Sequence, residues 1–291
     1  MSRAATLALA RSESGRPRVW RAVGYGLLYA FLVGLSAFML LPFAFALTSS
    51  LKPEPEVFAV PINWLPSEPQ WQNYVAPWSK NFGRYFVNST VVAAVQTLSP
   101  LILCSLAGYS LAKFRYPGRQ LVFFFILSTI MLPTQVTLVP TFLIVKQLGW
   151  VNSYLGLIVP GLATTFGTFL MRQFMFSIPS EYVDAARIDG ASEPRIYWNI
   201  VLPMCRPALS ALAIFSFTGS WNSFLWPLVI VNQDEMRTVP LGIVFYIGEG
   251  RVPEYGQLLA VAVLATLPVL VLFAAMQREF IRGAAMSGLK G

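Results

Sequence analysis

The chain has 291 residues, of which 56% are hydrophobic and only 12% charged, with a mean hydropathy of +0.60 and a formal net charge of +8. A soluble domain is roughly 45–50% apolar, so a soluble globular enzyme is the first class to fall. With no histidine and two cysteines, the commonest metal ligand and general base is missing, and no disulfide framework or metal spacing is visible.

Six stretches contain no Asp, Glu, Lys or Arg: residues 22–51, 85–112, 120–145, 147–171, 207–233 and 255–277, the shortest being 23 residues long. A helix of about 20 apolar residues crosses a bilayer core. Backbone groups in lipid must be satisfied by helices or a closed barrel, and these windows lack the alternation of a barrel strand. The predicted fold is therefore all-α and polytopic. It has an N-terminal segment 1–21, a membrane domain 22–278 with spans near 22–48, 85–112, 120–145, 153–172, 207–231 and 257–277, and a tail 279–291. Every window holds a proline (Pro42, Pro100, Pro133 with Pro140, Pro160, Pro227 and Pro268), expected here as simple kinks.

The first window follows a basic leader and contains Ala44-Phe45-Ala46, which imitates a secretory cleavage site. Its apolar run exceeds the 7–15 residues of a signal core, so an uncleaved first span is predicted. Residues 52–84 come next, with Trp64, Trp71, Tyr74 and Trp78 suited to a membrane–water boundary. They read as an external loop lying on the bilayer, or as a docking surface for an external partner. Counting Lys and Arg in alternate loops gives fifteen on the side of the N-terminus against six on the other. The positive-inside rule then places both termini in the cytoplasm, and the net charge needs no nucleic-acid partner.

Between spans four and five lies YVDAARIDGASEPRIYWNIVLP, Tyr182 to Pro203, with charges concentrated in a chain that has few. Ser180 after Pro179 fits an N-cap, Glu181 and Asp184 fall in the first turn, and Gly190 is a C-terminal stop. Tyr182, Ala185, Ala186 and Asp189 share a face at helical spacing. Ser192 and Pro194 restart a second short helix ending at Pro203. The prediction is a helix, a glycine turn and a second helix on the cytoplasmic face. The competing reading is a solvated loop with no partner.

The spacing resembles the EAA motif of importer-type ABC transporter permeases. Asp184-Ala185-Ala186 is followed by three residues and Gly190, then nine residues and Ile200-Val201-Leu202-Pro203; Asp for Glu at 184 is the departure. The likeness is closest to carbohydrate permeases such as those of maltose importers. It extends to Asn88-Ser89, Pro133-Thr134-Gln135, Gly219 to Phe224 and the ending QREFIRGAAMSGLKG. The resemblance implies that Glu181, Asp184, Ala185, Ala186, Asp189, Gly190, Ile200, Leu202 and Pro203 couple to a cytoplasmic ABC ATPase dimer, with the tail residues Gly288, Lys290 and Gly291 as further contacts. It also implies a second, different permease subunit, an extracytoplasmic solute-binding protein, a sugar cargo and a bacterial or archaeal cytoplasmic membrane. No cofactor is expected on this chain, ATP and Mg being used by the ATPase. Gly283 to Lys290 imitates a phosphate loop only superficially: the lysine falls one place late, Ser/Thr is missing and no strand precedes it.

None of the six windows contains an ionisable Asp, Glu, Lys or Arg, which speaks against an intramembrane enzyme and against an ion-coupled secondary carrier of a small neutral solute, the alternative function. No paired set of broken helices is evident in the sequence either, a second point against the carrier. The polar groups are neutral instead. Gln135, Thr164, Thr168, Ser220 and Asn222 are the candidates for lining a path, although such groups equally serve as helix–helix contacts.

Overall fold

The structure, a computed structural model, describes residues 18–248 and 254–288, and among these every regular element is helical. Twelve helices carry the architecture. They are α1 (Arg18–Ser49), α2 (Phe82–Lys113), α3 (Arg119–Ser128), α4 (Thr134–Gln147), α5 (Tyr154–Ile158), α6 (Thr165–Ser177), α7 (Ser180–Ile188), α8 (Glu193–Ile196), α9 (Arg206–Trp221), α10 (Leu225–Ile230), α11 (Val239–Gly248) and α12 (Tyr255–Gly288). Four stretches are long and apolar enough to cross a membrane, Ala22–Ser49, Phe82–Lys113, Tyr154–Ser177 and Tyr255–Glu279; two bent pairs raise the number to six if each pair is one span.

The expectation of mere kinks holds for Pro42, Pro100, Pro140 and Pro268, which lie inside continuous helices. It fails at Pro133, where α3 with its 3-10 turn and α4 meet at 103°. The ring excludes Leu132 from the helical region, and Leu132 is extended at φ −83°, ψ 114°. The predicted fourth span is likewise interrupted, by a 3-10 turn at Val159–Gly161 before α6 restarts at its Thr164 cap, and it runs on to Ser177. The predicted fifth breaks at Asn222–Phe224. Only the third predicted span is sharply bent, while Tyr154–Ser177 still counts as one candidate span through its 3-10 turn. At the ends, α1 begins at Arg18 within the predicted N-terminal segment, and α12 continues to Gly288 through the predicted tail.

The helix α2 is the hub, packing most extensively on α6 and α9; α9 in turn packs on α12, and α12 on α1. Lipid is as apolar as leucine, so close approach of backbones rather than hydrophobic burial holds such helices together. Glycines provide it. A Cβ at Gly108 of α2 would sit 2.8 Å from the Arg172 backbone nitrogen, and one at Gly167 of α6 would sit 3.0 Å from Cys104 Sγ. By contrast α1 has nearly all its apolar side chains exposed.

The segment 50–81 contains two short α-helical turns, Glu54–Val57 and Gln72–Val75, and a 3-10 turn, Ala76–Lys80, and exposes Trp64, Trp71 and Trp78. It is tied to the start of α12: the Glu54 carboxylate accepts from the backbone N–H of Tyr255 (2.7 Å) and Gly256 (3.1 Å), a favourable placement of negative charge at a helix N-terminus. Lys80 Nζ donates to Glu254 (2.8 Å), Tyr246 Oη (2.9 Å) and Gln257 (3.2 Å). The hydrogen bond from Lys80 holds the Glu254 carboxyl below its ordinary range. The pair's stabilisation is therefore present above the unfolded glutamate pKa and lost as pH falls through the depressed folded value. Both side chains are partly solvated, so Glu254→Gln is expected to cost no more than about 1 kcal/mol. Thermal unfolding of wild type and variant should differ at neutral pH and converge in acid.

Candidate functional site

The segment from Ile178 to Cys205 forms the predicted helix, turn and second helix. Pro179 occupies the N-cap of α7 with φ −54°, ψ 135°, and Ser180 is the first helical residue, making no side-chain cap. Its other end is a Schellman motif: Gly190 adopts φ +78°, Ala191 N–H donates to Ala186 O (2.9 Å) and Gly190 N–H to Arg187 O (3.0 Å). A Cβ at Gly190 would meet nothing within 4 Å, so the glycine is required by conformation and not by crowding. The second helix runs through a π turn at Tyr197–Val201 and ends at Met204, one residue past the predicted Pro203, before bending by 79° into α9.

Burial sorts the predicted contact residues. Glu181, Asp184, Ala185, Asp189, Gly190 and Pro203 are exposed, while Ile200 and Leu202 are half-buried. Ala186 is buried with Val183, which corrects its placement on the outer face. The outer face instead consists of Tyr182, Ala185, Asp189 and Ile188, the last 86% exposed. Ile188 was not singled out from the sequence, although an isoleucine flanked by Arg187 and Asp189 carried the signal. On the inner face, Val183, Ala186, Ile196, Tyr197 and Val201 share one core with Tyr109 of α2, Met171 and Met175 of α6 and Leu212 of α9. The loop is thus packed rigidly onto the ends of three helices.

Glu193 is the polar centre of this arrangement. It accepts from Arg187 Nε (2.7 Å) and from Tyr109 Oη (2.7 Å), and Arg187 also reaches Asp184 (3.1 Å). The Arg187 hydrogen bond holds the Glu193 carboxyl below its ordinary range, against some desolvation, and the bond to Glu193 raises Arg187. Lys113 Nζ donates to the Ile178 carbonyl (2.5 Å). A groove of about 390 Å³ opens beside these groups, lined by Lys113, Arg115, Ser180, Asp184 and Arg187 among others.

The predicted path residues do not converge. Gln135 lies exposed on the first turn of α4. Thr164 caps α6, its hydroxyl accepting from Gly167 N–H (3.0 Å), and buried Thr168 donates to the Thr164 carbonyl (3.1 Å). Ser220 lines a cavity of about 210 Å³ with Ser89, Gln96, Ser223, Trp226 and Thr238, whereas Asn222 borders a separate apolar cavity of about 450 Å³. In the first cavity Gln96 donates to the carbonyls of Leu157 (3.0 Å) and Ile158 (3.1 Å) and accepts from Ser220 (2.8 Å). Those contacts explain Gln96 and Ser220 as links among α2, α5 and α9. The Thr238 hydroxyl, buried and without a partner among the described residues, is the group left over.

A helical membrane domain with a rigid charged loop at one end matches one family. The chain belongs to the binding-protein-dependent transport system inner membrane component family, whose profile covers residues 104–285. Among curated relatives it is 36% identical over 253 residues to the sn-glycerol-3-phosphate transport system permease protein UgpE of Yersinia enterocolitica, covering 84% of this chain and 90% of the relative. To the protein of the same name from Escherichia coli O6:K15:H31 it is 36% identical over 255 residues, covering 85% and 91%. Among solved structures it is similar to a chain of a bacterial ABC transporter involved in the import of the acidic polysaccharide alginate. That match has 23% identity and a TM-score of 0.80, and covers 91% of this chain and 99% of the other. The protein is accordingly an inner-membrane permease subunit of an ABC importer.

Proposed function

We propose that this subunit forms half of a translocation path with a second, different permease, and that α7 docks on a cytoplasmic ATPase dimer that hydrolyses ATP with Mg. An external solute-binding protein delivers the cargo in this reading. Both termini and the 178–205 loop face the cytoplasm, supported by the fifteen-to-six distribution of basic residues. The tail residue Gly288 ends α12; Lys290 and Gly291 lie outside the described residues, and all three are proposed ATPase contacts.

The single observation that carries the reading is the outer strip of α7, Tyr182, Ala185, Ile188 and Asp189, exposed on a helix whose other face is locked to α2, α6 and α9 through a buried core. A displacement imposed on that strip has a packed route into the membrane helices. The proposed cargo is a sugar, a mono- or oligosaccharide. The absence of Asp, Glu, Lys and Arg from all six apolar windows supports an uncharged solute. The glycerol phosphate named for the 36%-identical relatives favours a second reading, a phosphorylated polyol.

The test is affinity purification from native membranes in mild detergent with identification of every retained chain, followed by uptake of sugars and of glycerol 3-phosphate into vesicles with and without ATP. Recovery of an ATPase, a second permease and a binding protein, with ATP-dependent uptake, is the expected result. A chain that comes through alone and transports solute without ATP would put the ion-coupled carrier in front.

A further inference from the structure

Arg172 lies on α6 five residues before the helix ends at Ser177, about 7 Å inside that end at 1.5 Å per residue. Each interfacial layer of a bilayer is roughly 5–8 Å thick. With Ser177 at the water boundary, Arg172 stands at the inner edge of the interfacial layer, just beneath the lipid phosphates and within reach of them for a long side chain. It is 8% exposed, stacked on the Phe123 ring at 3.7 Å with Phe176 at 5.6 Å. Its Nε is buried without an acceptor, and among the described residues it has neither a hydrogen bond nor an ion pair. A buried charge is normally paired.

Among the described residues nothing pairs with it. No Asp or Glu occurs between residues 69 and 180, so α2, α3 and α6 bring no carboxylate, and α9, which also packs on α6, has none either. What surrounds the guanidinium is further positive charge. Arg119 stands one turn before Phe123 on α3, donates to the Phe114 carbonyl (2.7 Å), and is close enough for its charge to repel that of Arg172. Tyr116-Pro117-Gly118-Arg119 forms a turn with Gly118 at φ 82°, and α3 starts there without a side-chain cap. Its first N–H groups and the helix dipole thus add to the two arginines.

The geometry points to a site for the phosphate headgroup of an anionic phospholipid, held by Arg172, Arg119 and the N-terminus of α3. The occupant is a lipid because the rim is apolar: Phe176, 5.6 Å from the guanidinium, and Phe124, against Phe123, are both exposed, a surface that acyl chains cover and a free anion does not. The site is independent of what is transported and in which direction.

The transport complex, reconstituted in phosphatidylcholine nanodiscs with increasing shares of phosphatidylglycerol, tests it by mass spectrometry of the lipid retained after extraction into detergent. Wild type should keep phosphatidylglycerol above its share in the disc. Arg172→Gln and Arg119→Gln should each lower that enrichment by about tenfold, the size of one charge-assisted contact, and Arg172→Lys should keep part of it. Should Arg172→Gln fail to assemble, Arg119→Gln at the partly exposed turn decides. Equal enrichment in wild type and variants overturns the site. So does a loss of the second permease from Arg172→Gln with lipid retention unchanged, which would mean a protein carboxylate meets the charge. Stabilisation of wild type by inorganic phosphate in pure phosphatidylcholine, matching that by phosphatidylglycerol, would replace the lipid with a free anion.

Discussion

Reversing the charge at Asp184 should bring ATP-driven uptake down to background while the chain still inserts and folds. Asp184 is well exposed, its side chain 61% accessible, and its ion pair is to Arg187 one turn along α7 at 3.1 Å. Such a pair contributes no more than about 1 kcal/mol, and Arg187 keeps its stronger bond to Glu193 when Asp184 is replaced. Asp184→Lys therefore costs the fold little. At a docking face the same change sets like charge against the partner, a penalty of several kcal/mol, enough to lower affinity more than a hundredfold. Ile188→Asp is the companion variant: an isoleucine 86% exposed supports nothing inside this chain, so its loss can only be felt outside it. Gly190→Trp adds bulk to the same face, with about 1–2 kcal/mol of left-handed backbone strain and no internal clash. Membrane yield, ATPase co-purification and uptake should be measured together. Wild-type uptake by Asp184→Lys and Ile188→Asp would sink the docking role of α7.

The helices that read most clearly from sequence were those whose windows are uniformly apolar, α1, α2 and α12. The breaks in spans three to five were not legible, because a proline in lipid reads alike whether the helix bends gently or stops. Pro100 stays within α2, while Pro133 ends a helix. The difference lies in tertiary partners. At the Pro133 break, Thr129 Oγ1 reaches the Ile126 carbonyl (2.8 Å) and Thr165 Oγ1 (2.6 Å), so the interruption in one span is bonded to the restart of another. In the loop, the glycine stop and the second helix were legible because Gly190 is a local requirement. The inward turn of Ala186 and the role of Glu193 were not: the first follows from packing against α2 and α6, and the second from Tyr109, 84 residues away in the chain.

Gly108→Leu should separate α2 from α6 and lower the thermal midpoint of the complex, whereas Gly219→Leu should not. At Gly108 even a Cβ would stand 2.8 Å from the Arg172 backbone nitrogen and 2.8 Å from Met171 Cβ. Backbone cannot rotate away, so the cost belongs at the upper end of the roughly 1–3 kcal/mol of overpacking. It is not offset by the environment, since lipid solvates separated helices as well as packed ones. The damage also reaches the loop, because Cys104, Tyr109, Met171 and Met175 at this contact belong to the core that holds Val183 and Ala186. Gly219, in the exposed part of α9, has nothing within 4 Å of an added Cβ. A helix former there gains up to about 1 kcal/mol in propensity. If Gly219→Leu melts like wild type and yet loses uptake, the lost function measures a contact beyond this chain, with the cargo or with the second permease. Equal melting of Gly108→Leu and wild type would instead show that α2 and α6 do not depend on this close approach.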